Sequence, residues 1–177
     1  MDRIPGHSAR VVVPFAGNLR LEVVGALIAT GRRWSTVDVS SSDHAYFDLL
    51  SELWSEREDF VVVEHDVVVS EAALVSLEEC PSDWCCCPYP YGRGTIVGLG
   101  CTKFTAALME KIPDLLDLVG HLSDETHAPK HWCRLDVWIQ RAIADLRAED
   151  PEIPWRCIDH PEVGHLGRSR PSHGCRP

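Results

Sequence analysis

Runs of β-branched residues alternate along this chain with segments whose apolar residues recur at helical spacing. Strands are predicted over residues 11–13 and 35–39, and a third over the apolar run that begins at Phe60. Helices are predicted between them, over residues 19–30 with Asn18 as the N-cap, and over the segment that begins near Tyr46. This alternation is typical of an α/β sheet with helices on its faces.

The second half of the chain continues the pattern less regularly. Pro88 and Pro90 exclude a central strand over residues 84–91. Further elements are predicted as a helix capped by Ser70 and reaching residue 77, a strand over 95–101, a helix over 103–111 stopped near Pro113, an irregular loop over 121–131, an amphipathic helix over 135–146 and a short strand over 155–158. We therefore expect one α/β domain over residues 1–165, with a mostly parallel sheet and helices on both faces.

Composition and charge narrow the function classes. The 177 residues are 45% hydrophobic and 25% charged, as in an ordinary globular domain. No apolar run is long enough for a membrane helix and the N-terminus lacks the apolar core of a signal peptide, so a cytoplasmic location without membrane contact is expected. The net charge of -10 argues against non-specific attraction to nucleic acid. Residues 166–177 are basic and are predicted to form a flexible tail, either solvated or touching a polyanionic acceptor.

Eight cysteines invite a zinc or disulfide interpretation, but their spacing does not favour one. Cys85, Cys86 and Cys87 are consecutive, and no Cys-x-x-Cys pair has a second such pair downstream. In a β segment these three side chains would point to alternate faces and could not converge on one ion. Buried free thiols are the expected state.

The third strand carries the most informative chemistry. Glu64, His65 and Asp66 interrupt a run of valines, and buried charges are costly unless something pairs with them. At the carboxyl end of a strand the two acids could hold a divalent cation, whereas on an edge strand they would simply face water. His65 lies between the acids, so within a strand it would point away from them.

Polar and small residues also follow the first two predicted strands. The first ends in Pro14, Phe15 and Ala16, and the second ends at Asp38. In a doubly wound sheet these ends lie near those of the third strand, which suits a nucleotide diphosphate. Asp38 could accept a hydrogen bond from a nucleobase N–H, and a metal ion would neutralise the pyrophosphate.

With these residues the chain resembles the GT-A family of nucleotide-sugar glycosyltransferases, which have a Rossmann-like fold. Glu64-His65-Asp66 looks like the family's Asp-x-Asp motif with Glu in the first place, and Gly98-Leu99-Gly100 is similar to its glycine-containing loop. The resemblance implies that Asp66 and His165 ligate Mn²⁺ or Mg²⁺. It also implies that Glu64 contacts the metal or the donor ribose, that Gly98 and Gly100 lie beside the donor sugar, and that Asp136 is the catalytic acid.

The resemblance implies transfer of a sugar from a UDP-sugar to a hydroxyl acceptor. The short chain resembles compact bacteriophage glycosyltransferases, whose acceptors include hydroxymethylated pyrimidines in DNA and virion proteins, and the DNA acceptor is the preferred expectation. A nucleotidyltransferase and a nucleotide-binding module without turnover remain alternatives. Asp136 could also be a helix N-terminal acid that favours the macrodipole, and His165 an ordinary loop histidine.

Overall fold

The computed structural model describes residues 9–167, and a five-stranded sheet forms their centre. Its strand order is β2-β1-β3-β8-β5. A two-stranded ribbon pairs β4 with β9, and β6 and β7 form a hairpin. The strands are β1 (Arg10–Phe15), β2 (Trp34–Asp38), β3 (Phe60–Val63), β4 (Val67–Val68), β5 (Trp84–Cys86), β6 (Tyr89–Tyr91), β7 (Gly94–Ile96), β8 (Cys101–Phe104) and β9 (Gly164–His165).

Four of the five central strands run in the same direction, and β8 runs against them. β1 pairs in parallel with β2 and β3, while β8 pairs antiparallel with both β3 and β5. The expected mostly parallel α/β sheet is therefore present with one reversed strand. The segment that joins β5 to β8 contains the β6–β7 hairpin and no crossover helix. A connection without a crossover helix is typical of antiparallel neighbours, which explains why β8 runs in the opposite direction.

Helices cover both faces of this sheet, as predicted. The α2, α4, α5 and α6 helices share one core cluster with the sheet, and α1 and α3 share the other. The helices are α1 (Leu21–Ala29), α2 (Ala45–Glu56), α3 (Glu71–Glu79), α4 (Ala106–Lys111), α5 (Leu115–Val119) and α6 (Leu135–Glu149). A 3₁₀ turn (Trp132–Arg134) comes directly before α6.

Side-chain alternation along the strands divides the core into these two clusters. In β3, Val62 belongs to one cluster and Val61 and Val63 to the other, which explains why this strand has a continuous apolar sequence. Cys86 likewise faces the side opposite to Cys85 and Cys87. All three thiols are free and buried, as the sequence predicted.

The helix caps test the local sequence signals. Ser70 accepts a hydrogen bond from the backbone N–H of Ala73 at the start of α3, which confirms the predicted cap. The prediction that Asn18 is the N-cap of the first helix was wrong. The α1 helix begins at Leu21, its N-cap residue is Arg20, and no side chain caps it. The helix predicted over 103–111 begins at Ala106, because its first residues belong to β8.

The segment between β5 and β8 differs most from prediction. The strand predicted over 95–101 is divided between β7 and β8, and Pro90 lies in the peripheral hairpin, where a missing N–H is tolerated. Over residues 155–158 the predicted strand is reduced to a single bridge between Cys157 and Cys85.

The domain was predicted to end at residue 165, and residues 166 and 167 are the only part of the predicted tail that the structure describes. Leu166 still donates its N–H to the carbonyl of Asp66 at 2.9 Å. The remainder of the predicted basic tail, from residue 168, lies outside the described residues. Within residues 9–167, no helix is both long and apolar enough to cross a membrane.

Candidate functional site

The carboxyl ends of β2, β1 and β3 lie side by side because the three strands are parallel neighbours. Phe15 is paired in register with Asp38, and the Val39 N–H donates to the Phe15 carbonyl at 2.8 Å. Pro14 is buried and Ala16 is exposed, so the chain reaches the surface at this point. The structure thus brings the first two predicted donor-binding segments together.

Asp38 is exposed at this edge. Its Oδ1 accepts a 2.9 Å hydrogen bond from the Ser40 backbone N–H, and the Ser40 side chain and backbone hold the pKa of Asp38 below its ordinary value. An ionised carboxylate accepts hydrogen bonds but cannot donate them. Asp38 is therefore suited to an N–H group of a ligand.

The Glu64-His65-Asp66 segment is a turn and not part of a strand. β3 ends at Val63, and the Glu64 N–H donates to the Gly100 carbonyl at 2.9 Å. Because the strand has ended, its side-chain alternation does not decide where His65 points. The turn does place both acids at the carboxyl end of β3, as predicted.

Asp66 and His165, the two predicted metal ligands, lie against each other. Their Oδ2 and Nε2 atoms are 3.4 Å apart, and their side chains are only 15% and 9% exposed. The β4–β9 ribbon produces this contact, because His165 is the register partner of Val67. Within residues 9–167, no third His, Cys, Asp or Glu forms a close ligand cluster with this pair.

The glycine loop packs tightly against the same region. A Cβ atom at Gly98 would lie 2.8 Å from Oδ2 of Asp136 and 2.8 Å from the Tyr89 hydroxyl. A Cβ atom at Gly100 would lie 2.7 Å from Cε1 of Tyr89 and 3.1 Å from Cγ2 of Val67. The absence of side chains at both glycines is therefore what allows the loop before β8 to approach Tyr89.

Tyr89 links the predicted residues, although the sequence analysis did not identify it. Its ring stacks on His165 with centroids 5.2 Å apart and an interplanar angle of 15°. Burial raises the pKa of Tyr89, and the charges of Glu64 and Asp136 raise it further. The hydroxyl thus stays protonated among carboxylates. An aromatic residue two positions after the cysteine run was the available signal, but the flanking Pro88 and Pro90 concealed its strand.

Tyr46 approaches the site from the opposite side. It lies at the start of α2 and is buried, and its pKa is raised by burial and then by the charge of Glu64. The charge of Glu64 thus acts on two protonated phenols, Tyr46 and Tyr89, and a phenol is able to donate a hydrogen bond to a carboxylate.

Asp136 is the second residue of α6 and is largely enclosed. Burial raises its pKa, while the Val137 N–H, which donates to Oδ1 at 2.8 Å, acts in the opposite direction. Oδ2 is directed toward Gly98. A carboxylate with a raised pKa is a stronger base than a solvated one.

Two arginines add positive charge near these acids. Arg156 donates to the Val97 carbonyl at 3.1 Å and its charge acts on Asp136. Arg20 donates to the Leu166 carbonyl at 3.3 Å, next to His165. Both guanidinium groups are fixed by backbone carbonyls and retain further N–H donors for an anionic ligand.

A groove of about 390 Å³ opens beside His165. Its lining comes from the β6–β7 hairpin and the C-terminal segment: Pro90, Tyr91, Gly92, His165 and Gly167. Tyr91 also meets the edge of the His165 ring, with centroids 5.9 Å apart. The site therefore combines an Asp66–His165 pair of the kind that can bind a metal, the enclosed carboxylate of Asp136 and a groove lined by Tyr91.

Comparisons with known proteins bear on the fold. No family model and no curated protein sequence matches this chain. The crystal structure of A197 from STIV is similar, with a TM-score of 0.50 and 14% identity over 89% of this chain and 81% of that chain. This likeness shows a shared fold.

A second solved structure is less similar. It is a glycosyltransferase involved in the glycosylation of the major capsid of PBCV-1, with a TM-score of 0.46 and 12% identity over 89% of this chain and 82% of that chain. A similarity of this size supports no inference about function.

Proposed function

We propose that this protein is a metal-dependent glycosyltransferase that moves a sugar from a nucleoside diphosphate donor, preferably a UDP-sugar, to a hydroxyl acceptor. The observation that carries the proposal is the contact between Asp66 and His165 at the carboxyl end of β3. Tyr89 connects this pair to Asp136, because its ring stacks on His165 and the charges of Asp66 and Asp136 both act on its hydroxyl. These residues come from three separate parts of the chain and meet at the expected ligand edge of an α/β sheet.

The donor atoms fit a divalent ion of the manganese or magnesium type. Asp66 offers a hard carboxylate oxygen and His165 a ring nitrogen, a pair that suits Mn²⁺ better than Mg²⁺. Two protein ligands leave room for diphosphate oxygens and water, as is usual in phosphate sites. When bound, the ion would offset the negative charge that develops on the leaving diphosphate.

The donor's other parts would lie along the strand ends. Asp38 would accept from the N–H of the base, next to the Pro14-Phe15-Ala16 segment. Glu64 would contact the ribose or the metal. Gly98 and Gly100 would contact the donor sugar through their backbone, since Tyr89 and Asp136 occupy the space that side chains at these positions would take.

Asp136 would act on the acceptor. In an inverting reaction its Oδ2 would take the proton of the attacking hydroxyl, while Oδ1 stays fixed by the Val137 N–H. In a retaining reaction Asp136 would orient the acceptor instead. Since burial raises the pKa of Asp136, a base role predicts that activity falls when acid protonates this group at a higher pH than an ordinary aspartate.

The preferred acceptor is a hydroxymethylated pyrimidine in phage DNA. The basic residues Arg168, Arg170 and Arg176 favour a DNA contact, whereas the net charge of -10 favours a protein or small-molecule acceptor. Acceptor hydroxyls of all three kinds therefore belong in the assay.

The test is incubation with a panel of UDP-sugars and Mn²⁺, with hydroxymethylated DNA, protein and small-molecule acceptors, and detection of released UDP. Asp66→Ala and Asp136→Ala should both abolish transfer, and Asp145→Ala, an exposed acid on α6, should not. Full donor turnover by Asp66→Ala would refute the metal assignment. Pyrophosphate release from nucleoside triphosphates would indicate a nucleotidyltransferase instead. Nucleotide binding without turnover would indicate a binding module.

A further inference from the structure

We propose that Cys80, Cys85, Cys157 and His160 form a structural site for Zn²⁺ on the α3 side of the sheet. The four residues come from the end of α3, from β5 and from the segment that leads to β9. The site is separate from the proposed donor site and does not depend on the proposed function.

The candidate ligands converge in space. Three possible ligand atoms lie within 4.8 Å of one another, one each from Cys80, Cys85 and His160. The Cys80 sulfur also interacts with the thiol of Cys157. Thiolates and a neutral imidazole are the ligands that zinc prefers, and a closed set of four is typical of structural rather than catalytic zinc sites.

Backbone pairing fixes Cys157 beside β5. The Cys157 N–H donates to the Trp84 carbonyl at 2.8 Å, and the Cys86 N–H donates to the Cys157 carbonyl at 2.9 Å. This single bridge places Cys157 opposite Cys85. Backbone hydrogen bonds therefore hold the segment around Cys157 next to Cys85, and no bound ligand is needed to place it there.

His160 shows a further feature of a metal ligand. Its Nδ1 is 2.9 Å from the hydroxyl of Ser76 in α3, whereas its Nε2 is buried and has no hydrogen-bond partner within residues 9–167. A buried polar atom without a partner is costly. Metal-binding histidines commonly donate the other ring N–H to a neighbouring acceptor, which is the role that Ser76 would have.

Lys103 supplies the charge balance. Its side chain is 1% exposed, and its ammonium group donates to the Cys80 carbonyl at 2.8 Å. Its charge acts on both Cys85 and His160, and within residues 9–167 it forms no ion pair with an acid. Three thiolates and one Zn²⁺ leave a net charge of -1, which a buried ammonium would neutralise.

The consequence is a fixed C-terminal segment. His160 lies five positions before His165, which stacks on Tyr89. Zinc would anchor the start of the segment to α3 and β5, while the β4–β9 ribbon anchors its end. The bound ion would thus stabilise the placement of His165 without contacting it.

Metal analysis of the purified, reduced full-length protein after incubation with Zn²⁺ and gel filtration tests this site. We expect one zinc per chain, and Co²⁺ in its place should give thiolate charge-transfer bands and tetrahedral d–d bands. Cys85→Ser and His160→Ala should lose zinc. Cys86→Ala, on the opposite face of β5, and Asp66→Asn should retain it. Ser76→Ala should weaken zinc binding by about tenfold.

Thiol protection provides a test that needs no variant. Bound zinc should protect Cys80, Cys85 and Cys157 from alkylation, and a chelator should expose them, as read by mass spectrometry. Absence of zinc and of protection in the reduced protein would overturn the proposal, as would a Cys80–Cys157 disulfide in place of metal binding. Zinc bound without cysteine protection would likewise assign the ion elsewhere and refute the site.

Discussion

Replacing Gly100 by alanine should destabilise the protein and displace Tyr89 from His165. The new Cβ would lie 2.7 Å from Cε1 and 3.1 Å from Cζ of the Tyr89 ring, and 3.1 Å from Cγ2 of Val67. The first distance is about 1 Å shorter than a favourable carbon–carbon contact of about 3.5–4.0 Å. Neither neighbour is free to yield, because Tyr89 and Val67 are both buried.

Overpacking of this kind costs about 1–3 kcal/mol in a well-packed core. We therefore expect the free energy of unfolding in urea, followed by tryptophan fluorescence, to fall by that amount with an unchanged dependence on urea. Gly25→Ala is the matched control, because Gly25 lies inside α1 with nothing within 4 Å of its added Cβ. That change should instead stabilise the protein by about 0.5–1 kcal/mol.

A double-mutant cycle identifies the contact responsible. In a Tyr89→Ala background, Gly100→Ala should cost much less than in the wild type, because both contacts with the Tyr89 ring, including the shortest one, are gone. If Gly100→Ala were as stable as the wild type, or if its cost were the same in both backgrounds, the packing of Tyr89 against the glycine loop would be refuted.

Three further changes test local features. Ser70→Ala should cost about 1 kcal/mol through loss of the α3 cap, whereas the exposed Ser55→Ala should cost almost nothing, both by urea unfolding. Gly17→Ala should cost about 1–2 kcal/mol, because Gly17 has a φ of +81°, and equal stability would refute that strain. Since burial raises the folded-state pKa of Asp136, its stabilising contribution is complete below the ordinary value of 3.8 and is lost as pH rises through the folded pKa. Asp136→Asn should therefore be more stable than the wild type at neutral pH, and this difference should vanish in acid. A difference in stability that does not change with pH would refute the raised pKa of Asp136.

The elements predicted most accurately are those with a strong local signal. The apolar run from Phe60 became the fully buried β3, and the periodic segment from Leu135 became α6. The cap at Ser70 is also local. In each case neighbouring residues in the sequence determine the outcome, so a single sequence is sufficient.

The reversed strand and the site geometry depend on long-range contacts. β8 lies between β3 and β5 although neither adjoins it in the sequence, and no local pattern encodes that order. The contacts of Tyr89 with the glycine loop and with His165 arise only from this packing. The Asp66–His165 pair was expected from a family resemblance, and the β4–β9 ribbon that creates it was not foreseen.

The cysteines illustrate the same limit. The absence of two nearby Cys-x-x-Cys pairs disfavoured a zinc site. The proposed ligands are instead two pairs that lie far apart in the sequence, Cys80 with Cys85 and Cys157 with His160. Folding brings these two pairs together across β5. Spacing rules that require both pairs within a short stretch do not detect such a site.

Calorimetric titration of UDP with Mn²⁺ present, and again with Mn²⁺ removed by a chelator, tests the metal-diphosphate site most directly. We expect removal of Mn²⁺ to weaken UDP binding by about tenfold or more, which corresponds to about 1.4 kcal/mol. Asp66→Asn and His165→Ala should lose the Mn²⁺ effect, while Asp145→Asn on the exposed face of α6 keeps it. UDP binding that is independent of Mn²⁺, or a Mn²⁺ effect that survives Asp66→Asn, would contradict the proposed metal site at Asp66 and His165.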